Sequence, residues 1–332
     1  MYLALATVLV ISTIIFGSRY KYLGAFISSI TLGYIFSQRS LSVGNDTVAY
    51  NSYFNRVQNN LSVKEYEIVY HYIFLYSPSF RFVLFLTSFL SLLFFQLAMV
   101  KFRLEEKLST IILMVSFGYL NIMVNQTRQI LAISFFLWLF GMSLTSRWNL
   151  FYGIGASFVH KSMLLLGLLG SMKLDRKISG YLLILITMLS YYIGKKFIVV
   201  IWLAKMIRNL TQDSVYVDDR FLLTILDQSG NLILVRVLFA LLLAFYACRG
   251  SLSKGIILWF GLIVQIISAG FMPLERIGDV LVFFGVYLFI MQGHVLTSKK
   301  FIISIFYISN FLYYLLTQYL ELGKHGSLPW KF

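Results

Sequence analysis

Apolar stretches about as long as a bilayer is thick recur from one end of this chain to the other, separated by short connections rich in Lys and Arg. A helix rises about 1.5 Å per residue, so roughly 20 apolar residues cross a hydrocarbon core of about 30 Å. A sliding window of about 19 residues places candidate helices at 2–16, 22–38, 80–100, 108–123, 127–145, 148–171, 178–194, 231–248, 254–271, 276–293 and 300–320. The stretch 197–207, FIVVIWLAKMI, is short for a span and reads as a twelfth, short helix or as an interfacial one. The expectation is an all-α, polytopic integral membrane protein with about 11–12 transmembrane helices. Composition agrees, at 59% hydrophobic and only 12% charged.

The chain carries 28 Lys and Arg against 13 Asp and Glu. In a soluble protein such an excess would point to nucleic acid. Here the basic residues cluster between spans, at Arg19/Lys21, Lys101/Arg103/Lys107, Arg147, Arg249/Lys254 and Lys299/Lys300. The positive-inside rule and anionic lipid heads account for them, so membrane lipids are expected as partners and nucleic acid is not. These connections fall on one side, assigned to the cytoplasm, and the longer segments 39–79 and 208–230 fall outside. A single crossing by 148–171 would strand Lys173, Arg176 and Lys177 outside. A broken or re-entrant segment near Val159-His160-Lys161 returns them to the cytoplasm, provided 197–207 does not span, and this reading is preferred. Met1 opens directly on an apolar run without a small-residue cleavage site, which reads as a retained first helix. Cys248, the one cysteine, sits among apolar neighbours and reads as a small core residue.

No internal repeat or low-complexity tract interrupts the pattern, so 1–332 reads as a single membrane domain with two outer loops. In 39–79 the turn Gly44-Asn45-Asp46-Thr47 precedes Tyr50, Tyr53 and Phe54, whose spacing puts them on one face of a short amphipathic helix capped near Asp46 or Thr47. The loop 208–230 carries Asp213, Asp218, Asp219, Arg220 and Asp227 and is acidic.

Ionisable groups within apolar segments are the best pointers to function, since a charge there costs roughly 2.5–3.5 kcal/mol on insertion scales and is kept for a cavity, a partner or a ligand. Asn125, Arg128 and Gln129 open the helix at 127–145. A guanidinium at that depth suits a diphosphate, because its fork of donors matches phosphate oxygens at two points; the alternatives are snorkelling to the interface or a structural ion pair. His160, Lys161 and Ser162 follow the small residues Gly153, Gly155, Ala156 and Ser157, which permit close helix packing. His160 is either structural, a general base on a sugar hydroxyl, or a hydrogen-bond donor to a leaving diphosphate. Pro273, Glu275, Arg276 and Asp279 open a later helix, with Arg276 and Asp279 either compensating each other at i, i+3 or serving a site. Arg236 and Arg39 are further cations that would line a cavity. Asp46 is the acidic residue best placed for chemistry, with helix capping as its alternative role. Glu65/Glu67 and Asp218/Asp219 read as solvated loop charges. No HExxH, DxD, Cys/His set or Walker motif is present, so neither metal nor cofactor is expected.

The run SVGNDTVAYNSYF after the second helix, NQTRQILA, FVHKS, PLERI and a C-terminal LPWKF occur in that order over nearly the full chain. In this the chain resembles the Wzy-type polysaccharide polymerases, in particular the EpsG-like branch. That family's pattern usually has Gly-Thr-Asp-Thr where this chain has Gly44-Asn45-Asp46-Thr47, and a Pro-Tyr ending where it has Pro329-Trp330. The resemblance implies a GT-C-like, lipid-carrier-dependent glycosyltransferase of the bacterial inner membrane, acting in O-antigen, lipopolysaccharide, capsule or exopolysaccharide synthesis with its site facing the periplasm or outer face. It would transfer an undecaprenyl-diphosphate-linked glycan onto the end sugar of another lipid-linked repeat unit, and a chain-length regulator is an implied partner. On that view Arg128 and Arg276, with Arg39, Lys161, Arg220 or Arg236, would hold the diphosphate, while His160 or Asp46 would take the proton of the attacking hydroxyl. An O-antigen ligase would share the donor. A flippase would need a similar cavity, but would be expected to show two related halves. A membrane O-acyltransferase would need a donor reached from the cytoplasmic side.

Overall fold

The computed structural model describes residues 21–39, 47–59, 61, 67–101, 127–140, 148–171, 179–196, 202, 230–248, 255–268, 277–282 and 285. Among these residues every regular element is helical. The α-helices are α1 (Lys21–Ser37), α2 (Thr47–Gln58), α3 (Ile68–Tyr76), α4 (Phe80–Lys101), α5 (Thr127–Phe140), α6 (Trp148–Ser157), α7 (Met163–Ser171), α8 (Gly180–Lys195), α9 (Gly230–Cys248) and α10 (Gly255–Ser268), and 277–282 is also helical. The helices expected at 2–16, 108–123 and 300–320, the acidic segment 208–230 save Gly230, and most of 197–207 and 276–293 lie outside the described residues. The chain divides into two units, one of Met1–Met172 with Thr297–Phe332 and one of Lys173–Leu296.

In the first unit α4 is the longest described helix, and Phe80–Ala98 within it is the one described stretch both long and apolar enough to cross a membrane. Ser79 caps it, its Oγ accepting the Phe82 N–H at 3.2 Å. Helix α1 lies antiparallel to α4, with Gln38 against Arg81, Gly33 against Phe89 and Ser28 against Gln96. A Cβ on Gly33 would stand 3.0 Å from the Phe89 Cα, so the missing side chain is what lets the two backbones close. The buried hydroxyls of Ser29, Thr87 and Ser91 donate to carbonyls one turn back in their own helices, at 2.6, 2.8 and 2.6 Å, which removes the cost of burying them. Helix α5 packs on α4 through Phe94, whose ring lies 5.2 Å from both Phe135 and Trp138.

Helix α1 is inside-out by the standards of a soluble protein. Its buried positions include Ala25, Ser28, Ser29 and Gly33 beside the larger Leu32 and Phe36, while Tyr22, Leu23, Phe26, Ile27, Ile30 and Tyr34 are exposed. In the second unit α8 repeats the pattern, burying Gly180, Leu183, Thr187, Ser190 and Gly194 and exposing Tyr181, Leu182, Leu185, Met188, Leu189 and Tyr192. A row of large apolar side chains outside, with small or hydroxylic residues at most of the buried positions, is what lipid, rather than water, selects.

The segment 148–171 is not one helix. Helix α6 ends at Ser157, residues 158–162 turn, and α7 runs back antiparallel, so that Gly153 and, one turn earlier, the Asn149 carbonyl both face Gly167. A Cβ on Gly153 would stand 2.5 Å from the Gly167 Cα, so neither position admits a side chain. At 10 and 9 residues the two arms are about 15 and 13 Å long, half a hydrocarbon core.

The second unit holds α8, α9 and α10. Gly180 of α8 meets Ala244 and Cys248 of α9, Gly194 meets Ile266 of α10, and the buried Trp259 Nε1–H donates to Thr187 Oγ1 at 3.1 Å. Residues 277–282 and 285 follow α10 in antiparallel order, with Gly261 against Leu281 and Val282 and Gly285 against Leu258. Cys248 is exposed, correcting its reading as a core residue. It is the last residue of α9, where apolar sequence neighbours do not imply burial.

Candidate functional site

The segments between α1 and α4 build a cover at one end of the first unit. Helix α2 buries Thr47, Tyr50, Tyr53, Phe54 and Val57, positions recurring at one-turn intervals, against α3 and the start of α4. Tyr53 and Phe54 pack on Phe74 at 5.2 and 6.3 Å, and Phe54 reaches Phe80 at 6.0 Å. The Gln58 side-chain amide donates to the Phe74 carbonyl at 2.8 Å, satisfying an acceptor at the C-terminal end of α3. Tyr70 is fully buried beside Tyr50, and burial, with the neighbouring Tyr50 second, raises its phenol above the ordinary tyrosine range.

Arg128, the second residue of α5, points into this cover. Its Nη1 donates to Glu67 Oε2 at 2.6 Å, with the two side chains 17% and 10% exposed. Its Nε donates to the Tyr50 hydroxyl at 3.2 Å, and the guanidinium carbon lies 5.3 Å from the Tyr50 ring centroid. Three elements far apart in sequence therefore meet at one cation. The sequence alone implies a solvated loop charge at Glu67, and the structure corrects this. Its partner is 61 residues away, so no local pattern could have revealed the pair.

The same stretch of chain carries the hairpin turn. Val69, two residues after Glu67, donates its backbone N–H to the Phe158 carbonyl at 3.3 Å. Phe158 is two residues before His160. The His160 N–H closes α6 on Ala156 at 3.1 Å, and its carbonyl accepts the Met163 N–H at 3.0 Å as α7 begins. The imidazole folds over this start, with Nδ1 2.8 Å from Ser162 Oγ and accepting the Ser162 backbone N–H at 3.3 Å. A backbone N–H can only donate, so in the neutral ring Nδ1 is unprotonated and Nε2 carries the hydrogen. His160 so held is a hydrogen-bond donor through Nε2. Lys161, next in the turn, is exposed.

Of the remaining candidates, Arg39 is 2% exposed just beyond α1. It adjoins Gln38, whose Oε1 accepts from Arg81 Nη1 at 3.2 Å. Gln129 is buried in α5. In the second unit Arg236 Nη1 donates to the Gln265 carbonyl at 3.3 Å, and Gln265 Nε2 donates to Asp279 Oδ1 at 2.7 Å. Asp279 is thus engaged by an amide of α10, whatever Arg276 adds. Asp46, Asn125, Arg220, Glu275 and Arg276 lie outside the described residues. Arg81, and the contact of His71 Nδ1 with the Tyr53 hydroxyl at 3.1 Å, were not singled out from the sequence. Among the described residues no three His, Cys, Asp or Glu side chains cluster to hold a metal ion.

Chemically, the first unit offers a partly buried guanidinium, a carboxylate and a phenol on it, and a histidine donor on a turn bonded to the same short segment. Such a set can bind and orient an anion. No curated protein matches this chain, and no solved structure does. A family model does, over residues 3–332, and it is that of the EpsG family. With the match covering all but the first two residues, and with the inside-out apolar helices of a membrane protein, the chain belongs to the EpsG family.

Proposed function

We propose that the chain is a polysaccharide polymerase of the lipid-carrier-dependent, GT-C-like type. Family membership supports a polymerase-type role in exopolysaccharide or O-antigen synthesis. The finer reading is transfer of an undecaprenyl-diphosphate-linked glycan onto the terminal sugar of another lipid-linked repeat unit, at the outer face of the bacterial inner membrane. The observation that carries it is Arg128, fixed by Tyr50 and paired to Glu67 beside the turn that holds His160.

The acceptor hydroxyl oxygen attacks the anomeric carbon, and the bond from that carbon to the diphosphate oxygen breaks, its electron pair leaving with the diphosphate. Arg128 takes up the charge that develops on the leaving group, the kind of preorganised stabilisation that most lowers such barriers. His160, protonated at Nε2, donates a hydrogen bond to the same group. That leaves Asp46, immediately before α2 and four residues before Tyr50, to accept the hydroxyl proton. A chain-length regulator is a proposed partner, and Lys161 and Arg39 are proposed to add to the field around the diphosphate.

The test is the surface-glycan ladder of a strain deleted for this gene and complemented with wild type or Arg128→Ala. Single repeat units in the deletion strain, with the ladder restored by wild type and not by Arg128→Ala, is the expected result. Loss of all surface glycan in the deletion strain would point to a ligase or flippase, and an unchanged ladder would remove the chain from this pathway.

A further inference from the structure

Glu67 and Arg128 pose a question that the proposed function leaves open, because a cation assigned to a diphosphate already holds an anion. We propose that Glu67 is an exchangeable counter-anion: its carboxylate occupies Arg128 until a lipid-linked diphosphate displaces it. This rests on the reading of Arg128 as the diphosphate ligand.

Three observations and one chemical argument make the pair suited to exchange. First, Glu67 is the residue ahead of α3, yet its side chain makes no capping hydrogen bond to that helix, so its departure does not uncap α3. Second, Arg128 is also oriented by Tyr50, through the 3.2 Å bond at Nε and the ring 5.3 Å from the guanidinium carbon. The guanidinium therefore keeps its place when the carboxylate leaves. Third, the two side chains are 17% and 10% exposed, partly buried but not sealed. Fourth, a diphosphate offers more oxygens and more charge than one carboxylate to the same planar fork, so it is the stronger partner. A bare Arg128 in this setting would carry the cost of an uncompensated charge near lipid, and Glu67 removes that cost from the empty protein.

The chain also explains where the displaced carboxylate acts. Glu67 is two residues from Val69, whose N–H holds the Phe158 carbonyl of the His160 turn. Exchange at Arg128 thus occurs on the segment that anchors the second proposed diphosphate donor.

The experiment uses the full chain purified in detergent, with farnesyl diphosphate as a soluble probe, titrated calorimetrically into wild type, Glu67→Gln, Glu67→Asp and Arg128→Ala. Removing the internal competitor in Glu67→Gln is expected to tighten binding about tenfold or more, and the gain should persist at high salt, where long-range attraction is screened. Glu67→Asp, which keeps the charge on a shorter arm, should fall between Glu67→Gln and wild type and serves if Glu67→Gln does not yield folded protein. Arg128→Ala should lose binding. If Arg128→Ala loses binding while Glu67→Gln binds no tighter than wild type, or tighter only at low salt, Glu67 is a fixed positioning residue and the exchange is wrong. If Arg128→Ala binds like wild type, the diphosphate reading of Arg128 falls, and this proposal with it.

Discussion

Arg128 in the first unit and Arg236 in the second both sit on apolar helices, and the contacts seen at each differ in kind. Arg128 meets a full negative charge, from Glu67, and a phenol, each brought in by a separate element. Arg236 meets the backbone carbonyl of Gln265 on the neighbouring helix, while the Gln265 side chain turns to Asp279. A carbonyl dipole fixed in a helix cannot leave, whereas a carboxylate ahead of a short helix can. The Arg128–Glu67 contact suits a site that trades partners, and the Arg236–Gln265 contact joins two helices.

The sharpest way to break this contrast is to remove each arginine in turn. Arg128→Ala is expected to abolish long-chain product, a loss of at least about 100-fold if the cation contributes what a single oxyanion donor typically does. Arg236→Ala should leave chain length unchanged and cost about 1.5–3 kcal/mol of stability, the range for a hydrogen bond to a charged group, read from thermal unfolding in detergent. A normal ladder from Arg128→Ala, or a lost one from a folded Arg236→Ala, would reverse the assignment.

His160 sharpens the first half of the comparison. If it acts as a donor, His160→Gln, which keeps a side-chain N–H, should retain measurable ladder, while His160→Ala should lose about 100-fold on the same scale. Equal loss in both would assign His160 to proton transfer.

Two glycines test the same division through packing alone. Gly153→Ala forces a Cβ to within 2.5 Å of the Gly167 backbone and should cost about 1–3 kcal/mol together with activity, because it spreads the hairpin that presents His160. Gly155→Ala, two residues away with nothing within 4 Å of the added carbon, should be neutral or stabilising by up to about 1 kcal/mol. The smallest effect belongs to the second unit. Thr187→Val, which removes the 3.1 Å partner of Trp259, should cost about 0.6 kcal/mol and leave the ladder intact.

Much of the scaffold is legible in the sequence. Hydropathy alone locates α4 at 80–100, α8 at 178–194 and α9 at 231–248, within two residues of the observed bounds at each end. This works because apolar length is a local property. The turn at 158–162 is legible too, because a single crossing by 148–171 would put Lys173, Arg176 and Lys177 on the side opposite to the other basic connections. The aromatic face of α2 follows from the spacing of Tyr50, Tyr53 and Phe54. What sequence does not show is who answers Arg128. Glu67 stands in a polar stretch beside Glu65 and Lys64, and nothing near it distinguishes a carboxylate that will be 10% exposed from one in water. Pairings of this kind belong to the tertiary structure. Cys248 fails for the converse reason, since apolar sequence neighbours in lipid-facing helices carry no information about burial.

The hydrogen bond from the Val69 N–H to the Phe158 carbonyl ties α3 to the hairpin using main-chain atoms only. At position 69, then, among the twenty amino acids, proline alone lacks the hydrogen that this joint requires. Any other side chain at 69 or 158 leaves the donor and acceptor of this joint in place. The spacing of Glu67 and His160 is thus set by the backbone and not by the side chains at 69 and 158.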